Sequence, residues 1–185
     1  GVQTCALPIS SDEWIQLRTG IQERRVASDE MATSDLAIAA AKSAISNAGI
    51  AKEDIDMVVV ATTTPDYLAF PSTACLVQHA LGLNTVAAFD VSAACAGFVY
   101  ALTVGTQFIK SEAASHVLVI GADCLTKIMD WEDRSTCVLF GDGGGAVILS
   151  QVEEGAGILE SRLYADGGEA DILKVPAGGT RTPMT

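Results

Sequence analysis

Basic residues are scarce in this sequence of 185 residues: 11 lysines and arginines face 23 aspartates and glutamates, and the net charge is −12. Such a balance argues against a nucleic-acid or anionic-membrane partner. The sequence also lacks any apolar run long enough to span a bilayer, so we expect a soluble, cytoplasmic protein. Its 49% of hydrophobic residues are enough for one sizeable core.

Metal-ligand spacings are absent as well. The five cysteines are widely spaced, form no Cys-x-x-Cys pair, and are accompanied by only two histidines. Zinc sites and disulfide frameworks need more closely spaced or paired ligands. We therefore expect free thiols in a reducing compartment and no metal site.

Short apolar runs alternate with helical patterns along the chain, which is typical of strands covered on both faces. We predict strands over residues 57–61, 86–91, 116–121, 145–149 and 157–160. We predict helices that open at Ser11, at 33–35 with an end at Gly49, at 70–72 with Pro71 in the first turn, and over 94–110. This order predicts an α/β fold with a mainly parallel sheet.

Cys95 lies where the predicted strand 86–91 passes into the predicted helix 94–110. A thiol on the first turn of a helix meets unpaired backbone N–H groups and the positive end of the helix dipole. These conditions favour a thiolate nucleophile. The alternative is a small buried hydrophobe, the usual fate of a free cysteine, and position alone favours that alternative.

Few basic side chains lie near aromatic ones. Trp14 and Arg18 are four residues apart and share one face of the first predicted helix. Such a pair can stack on a flat ring and meet a phosphate, or it can be a half-buried aromatic beside a solvated cation. Arg134 is open to the same two interpretations, and we interpret 24–25 as a solvated arginine pair.

The glycine-rich stretch 140–146 does not have the Gly-Lys-Ser/Thr ending of a phosphate loop, and a strand-like run follows it. We therefore predict glycines that allow close backbone approach in a turn, and no nucleotide site. Asp90, Asp142 and Asp166 lie beside glycine or alanine turns, where capping and turn hydrogen bonds explain them.

Residues 1–9 fit none of the predicted elements and can be written as the translation of a sequencing-library adaptor. We therefore expect 1–9 to be non-native and 10–185 to be part of a longer protein.

Seven segments, taken together, resemble 3-oxoacyl-(acyl-carrier-protein) synthase III, a family of the thiolase-like superfamily. They are residues 10–15, 18–21, 61–64, 69–72, 88–98, 139–143 and 165–167, and the most specific is Ala88-Phe-Asp-Val-Ser-Ala-Ala-Cys-Ala-Gly-Phe98. The resemblance implies a thiolase fold, five-layered (αβαβα) in the full protein. It implies that residues 10–185 are the N-terminal half, with a mixed, mostly parallel sheet. It also implies that the synthase III core spans about residues 88–168. The C-terminal half, with a catalytic histidine and asparagine, is then absent.

The resemblance also implies an activity and reverses the preference for a buried Cys95. Cys95 would accept an acyl group from acyl-coenzyme A, and decarboxylative Claisen condensation with malonyl-acyl carrier protein would initiate fatty-acid synthesis without cofactor or metal. Trp14 and Arg134 would sandwich the adenine and Arg18 would meet the phosphates of coenzyme A. Phe70 would reach the acyl pocket of the other subunit of a homodimer, in which strand 86–91 pairs with its twin.

Other activities remain open at this point. A hydroxymethylglutaryl-coenzyme A synthase has a glutamate base in the segment corresponding to 62–70, where Asp66 is the only acid here. A polyketide-type starter enzyme fits the same motifs. A non-catalytic fragment with a core thiol is the third alternative, and we expect this chain alone to be inactive.

Overall fold

A four-stranded sheet forms the centre of the structure, a computed structural model that describes residues 11–183. Its strands are β1 (Met57–Ala61), β2 (Ala87–Val91), β3 (His116–Cys124) and β4 (Asp142–Ser150). The helices are α1 (Asp12–Thr19), α2 (Thr33–Ala48), α3 (Thr73–Ala80), α4 (Gly97–Lys110) and α5 (Arg134–Cys137). Single 3₁₀ turns occupy Lys52–Asp54, Ala94–Ala96, Leu125–Lys127 and Gly167–Glu169. The segment 1–9, predicted to be non-native, lies outside the described residues.

The sheet has the order β2-β1-β3-β4. β1 is parallel to both neighbours, with Met57 opposite Ala87 on one side and Val117 on the other. β4 is antiparallel to β3, and its last residue, Ser150, lies opposite His116. The predicted mixed, mostly parallel α/β sheet is confirmed.

Both faces of the sheet are covered, which explains the continuous apolar run of β1. Val58 and Val60 point into a core that contains residues of α2 and α3. Met57 and Val59 point to the opposite face, where they pack against α4. Since successive side chains of a strand point to opposite faces, all five residues of β1 are buried.

The helix ends agree with the sequence signals at most positions. The Ser11 hydroxyl accepts a hydrogen bond from the Trp14 amide at 3.1 Å, and Gly49 ends α2 in the left-handed conformation with φ 66°. The expected start of α3 was wrong, because Ser72 is the N-cap and Pro71 precedes the helix. The Asp90 carboxylate sets this start by accepting the first helical amide, that of Thr73, at 2.7 Å.

The predicted strand at 157–160 is not formed. Residues 151–183 are almost entirely exposed, and no described strand pairs with this segment. β4 instead begins earlier than predicted and runs along all of β3. A strand needs a partner ladder, and the apolar residues Ile158 and Leu159 alone do not provide one.

The glycines of β4 allow the close backbone approach that the sequence predicts, although within a strand and not in a turn. A Cβ on Gly144 would lie 3.0 Å from the Leu36 carbonyl oxygen of α2. The predicted structural role of the three aspartates is also confirmed: Asp142 accepts from the Thr126 amide at 2.9 Å, and Asp166 accepts from the Gly168 amide at 2.9 Å.

The interpretation of the arginine pair was wrong for Arg24. Its guanidinium is half-buried and donates to the carbonyl of Val138, which joins the segment after α1 to the segment after α5. Arg25 does project into solvent, where its guanidinium lies 3.3 Å from the Glu23 carboxylate. The sequence does not separate the two, because the Val138 carbonyl that binds Arg24 is far away along the chain.

Gly105 lies on the face of α4 that packs against the sheet. A Cβ there would meet Leu149 Cδ1 at 2.9 Å and Val117 Cγ1 at 3.2 Å. We expect Gly105→Val to lower the free energy of unfolding of the full-length gene product by about 2 kcal/mol, because overpacking forces strain on a dense core. Chemical denaturation measures this change. The matched control is Gly145→Val, where no atom lies within 4 Å of the new Cβ; an equal loss in both variants would contradict the expectation.

Candidate active site

Three chain segments leave the sheet at one edge. Since β1, β2 and β3 are parallel, the residues after Ala61, after Val91 and after Cys124 all start from their carboxyl ends. Ligand sites of α/β sheets lie outside this edge. The segment after β2 contains Cys95, and the segment after β3 leads to Arg134.

Cys95 is exposed in the 3₁₀ turn Ala94–Ala96, directly before α4. The predicted position at the start of a helix is therefore confirmed, with a tighter turn in place of the first α-helical turn. The Ala96 amide donates to the Ala93 carbonyl at 3.1 Å, which closes the turn. The alternative of a buried thiol is excluded by this exposure.

The turn that contains Cys95 packs directly against the neighbouring strands. The Thr62 amide donates to the carbonyl of Val91, the last residue of β2, at 3.2 Å. A Cβ on Gly97 would lie 3.4 Å from the Ala61 side chain. Thus both ends of the segment 92–96 are held against the carboxyl end of β1, and the position of the thiol follows from the sheet.

Asp123, near the end of β3, holds the loop after β1, and sequence reasoning missed it. Its Oδ1 accepts from the backbone amides of Thr63 and Thr64 at 2.8 and 3.1 Å. The same oxygen lies 3.1 Å from the Thr62 hydroxyl. Three successive threonines directly after a buried strand were the available signal, but nothing local in the sequence indicates which acid they bind.

Asp66 has a structural partner for each carboxylate oxygen. Oδ1 accepts from the Ser34 amide at 2.9 Å, and Oδ2 accepts from the Ser34 hydroxyl at 2.6 Å. The carboxylate therefore caps the first turn of α2. This geometry counts against Asp66 as a catalytic base, and with it against the hydroxymethylglutaryl-coenzyme A synthase alternative.

Trp14, Arg18 and Arg134 form one cluster, which we call the tryptophan–arginine cluster. The Arg18 and Arg134 guanidinium carbons lie 5.7 and 5.0 Å from the centre of the Trp14 ring. These distances are within the range of a cation–π contact. The structure thus brings together three of the five predicted site residues, although 120 positions separate Trp14 from Arg134.

Asp133 fixes the residue next to it, Arg134, and was also missed. It is the N-cap of α5, and its carboxylate accepts from the Ser135 amide at 2.9 Å and from the Thr136 hydroxyl at 2.7 Å. Hydrogen bonds from Ser135 and then Thr136 lower the pKa of Asp133. Arg134 therefore starts a short helix whose cap stays anionic.

Phe70 does not join the tryptophan–arginine cluster. It lies at the end of the loop after β1, and 84% of its surface is exposed. Tyr67 and Leu68 of the same loop are also largely exposed. The loop therefore presents an apolar surface.

The described cysteines fall into two groups. Cys75 and Cys95 are exposed, whereas Cys124 and Cys137 are buried. Burial raises the pKa of the Cys124 thiol, so this thiol stays protonated and inaccessible. Among residues 11–183 no three potential ligands are grouped to hold a metal ion.

One cavity lies away from this site. About 560 Å³ in volume, it lies between the end of α4, the end of β4 and residues 151–159. Because Ser150 pairs with His116, the first residue of β3, this cavity opens at the amino edge of the parallel strands.

Within the described part of the chain, no helix is both long and apolar enough to cross a bilayer.

Comparison with known proteins agrees with this geometry. The family model for 3-oxoacyl-[acyl-carrier-protein (ACP)] synthase III matches residues 89–167, which include Cys95 and Arg134. The β-ketoacyl-[acyl-carrier-protein] synthase III of Caldanaerobacter subterraneus is 55% identical over 176 residues, covering 95% of this chain and 53% of the relative.

Solved structures show the same likeness. A β-ketoacyl-[acyl carrier protein] synthase III from Thermus thermophilus superposes with a TM-score of 0.86 at 47% identity, over 92% of this chain and 54% of that one. The priming β-ketosynthase from the R1128 polyketide pathway superposes with a TM-score of 0.74 at 38% identity, over 77% and 42%.

The fold and the matches therefore define a thiolase-like α/β protein. Within that class, the chain belongs to the 3-oxoacyl-[acyl-carrier-protein] synthase III family. It spans about half the length of the curated relatives that it matches.

The hydrogen bonds of Asp123 predict that their loss lowers the stability of the fold measurably. Since hydrogen bonds to a charged group stabilise a fold more than neutral ones do, we expect Asp123→Ala to lower the free energy of unfolding by about 2 kcal/mol. Limited proteolysis should cut the freed loop 62–66 sooner. The control is Asp171→Ala, whose side chain is 91% exposed beside Lys174; equal stability of the two variants would refute the proposed hold on the loop.

Proposed function

We propose that this protein is a condensing enzyme that initiates fatty-acid synthesis. Cys95 accepts an acyl group from acyl-coenzyme A, and a carbanion from malonyl-acyl carrier protein then takes up that group. The observation that carries the proposal is the exposed thiol in a fixed turn at the carboxyl edge of the sheet, inside the segment that the family model matches.

The first half-reaction transfers the acyl group to sulfur. The thiolate of Cys95 attacks the thioester carbonyl, a new carbon–sulfur bond forms, and the bond to coenzyme A breaks. The coenzyme A thiolate leaves and takes up a proton. Negative charge develops beside the amino end of α4, where the helix dipole favours it.

The second half-reaction forms the carbon–carbon bond. Malonyl-acyl carrier protein loses carbon dioxide, and the resulting carbanion attacks the acyl carbonyl, which releases a 3-oxoacyl carrier protein and the free thiolate. His79 is in the last turn of α3 and His116 is the first residue of β3, so neither lies at the carboxyl edge beside Cys95. The family resemblance assigns the stabilisation of the carbanion to a histidine and an asparagine, and neither His79 nor His116 is placed for that role.

The tryptophan–arginine cluster fits the nucleotide end of coenzyme A. With the guanidinium carbon of Arg134 at 5.0 Å from the ring centre of Trp14, no aromatic ring fits between them as they stand. Adenine therefore displaces Arg134 from the Trp14 face and is then held between the two side chains. Arg18, one helical turn from Trp14, supplies charge for the phosphates.

The remaining partners follow from the same proposal. The reaction needs acyl carrier protein and no redox cofactor or metal, and it takes place in the cytoplasm. The exposed loop with Phe70 and the edge strand β2 are surfaces that a second copy would cover in a homodimer, with Phe70 at the partner's acyl pocket.

A second candidate is a polyketide-type starter enzyme. The likeness to the R1128 priming β-ketosynthase favours it, because that structure shares both the fold and 38% of the aligned residues. The two candidates use the same acyl transfer to Cys95 and differ in the acyl donor and the pathway that takes the product. Comparing acyl-coenzyme A donors of different chain length and branching separates them.

Acyl transfer to Cys95 is the central test. After incubation of the full-length gene product with acetyl-coenzyme A, we expect intact mass spectrometry to find one thioester adduct, with peptide mapping to Cys95. Cys95→Ser should abolish the adduct, because an alcohol is a far weaker nucleophile than a thiolate. Cys75→Ser is the matched control, since Cys75 is also exposed and should not affect the adduct. Absence of an adduct with every short acyl-coenzyme A would defeat the proposal.

Coenzyme A affinity tests the tryptophan–arginine cluster. We expect Trp14→Ala to weaken coenzyme A binding about tenfold or more in calorimetry, because stacking on a base contributes about 1–3 kcal/mol. Arg134→Ala should weaken it less, since the Trp14 face remains. Arg162→Ala is the control, as Arg162 is exposed and pairs with Glu160 at 2.8 Å. Unchanged affinity in Trp14→Ala would rule out the assigned adenine site.

A further inference from the structure

Ala94, the residue before Cys95, has a left-handed backbone with φ 46°. Among residues 11–183 the only other non-glycine residue with positive φ is Glu112, at 59°. An L-residue with a Cβ in this region costs roughly 1–2 kcal/mol relative to the right-handed conformation. Such strain persists only where the surroundings determine it.

The surroundings of Ala94 do determine it. On one side, the carbonyl of Val91 is held by the Thr62 amide at 3.2 Å. On the other side, Gly97 packs on Ala61, where an added Cβ would be 3.4 Å from its side chain. The chain must therefore change from strand to helix within the segment 92–96, and Ala94 is where its backbone reverses.

We propose that Ala94 is a positioning residue: its left-handed backbone directs the Cys95 thiol outward from the carboxyl edge of the sheet. If Ala94 adopted the right-handed φ near −60°, a rotation of about 100° around its N–Cα bond would turn the following residue. Ala94 is itself exposed, so the limit on its side chain comes from the backbone conformation and not from lack of space. The effect of this orientation on acyl transfer rests on the proposed function, whereas the orientation of the thiol itself does not.

Asparagine and valine at position 94 form a test pair of similar size. Asparagine tolerates the left-handed region, whereas a β-branched valine is a strong outlier there. In the full-length gene product we measure site-resolved alkylation of Cys95 by iodoacetamide, with the exposed Cys75 of the same molecule as the internal reference. We expect Ala94→Val to lower the Cys95/Cys75 rate ratio about tenfold and Ala94→Asn to keep it within about twofold.

Glu112→Val is the matched control for strain. It places the same β-branched side chain at the other left-handed position, just beyond the far end of α4. We expect it to lower the thermal midpoint while the Cys95/Cys75 ratio stays unchanged. A similar fall of the ratio in Glu112→Val, or an unchanged ratio in Ala94→Val, would overturn the inference.

Ala94→Gly keeps the test decisive if the valine variant does not fold. Glycine adopts the left-handed region without penalty, so we expect Ala94→Gly to raise the thermal midpoint and to retain the alkylation rate of Cys95. At a position with ordinary φ, the same substitution would lower the thermal midpoint. A lower midpoint would overturn the inference.

Acyl transfer from acetyl-coenzyme A separates this inference from the proposed function. In folded Ala94 variants we expect kcat to follow the alkylation ratio while KM changes little, because the tryptophan–arginine cluster is intact. If alkylation follows the predicted order but no thioester forms, the positioning role stands and the proposed function fails. If the thioester forms equally in all folded variants, the positioning role fails.

Discussion

The close packing of α4 on the sheet is the constraint on which the position of Cys95 depends. At Gly105 and Gly121 there is no room for an added side chain without displacement of Leu149 or Phe98, and at Gly97 an added Cβ would already contact Ala61. Because protein interiors are as dense as molecular crystals, a helix packed this tightly has little freedom to slide or rotate. The start of α4, and with it the turn that contains the thiol, is fixed relative to the ends of the strands.

Three acidic side chains hold neighbouring segments at the carboxyl edge of the sheet. Asp123 and Asp66 each use their oxygens for threonine or serine donors of a neighbouring segment. Asp90 does the same for the first amides of α3. A carboxylate that accepts from several donors of one segment is well suited to hold that segment in place. These contacts hold the loop after β1 and the starts of α2 and α3 at the edge of the sheet from which the Cys95 segment also leaves.

Much of this could be predicted from the sequence, and the failures have physical causes. Strands β1 to β3 and the end of α2 at Gly49 follow from periodicity and local backbone preferences, which are encoded within a few residues. The hold of Asp123 on the threonines and the contact of Arg24 with Val138 join positions far apart in the chain, and no local pattern reports them. The false strand at 157–160 shows the same limit, since pairing depends on a partner and not on composition. The strain at Ala94 also escapes prediction, because alanine has no preference for that conformation.

The contact between Arg134 and Trp14 is compatible with the proposed adenine site on energetic grounds. An arginine over an exposed aromatic ring contributes about 0.5–1 kcal/mol, and a base stacked on that ring contributes about 1–3 kcal/mol. Under the proposed function, exchange of the Arg134 contact for adenine is therefore favourable even before the same guanidinium stacks on the outer face of the base. Since Asp133 holds the start of α5, Arg134 can swing at its side chain while its backbone stays in place. Under the proposed function, the Arg134 side chain can therefore give way to adenine without displacement of α5.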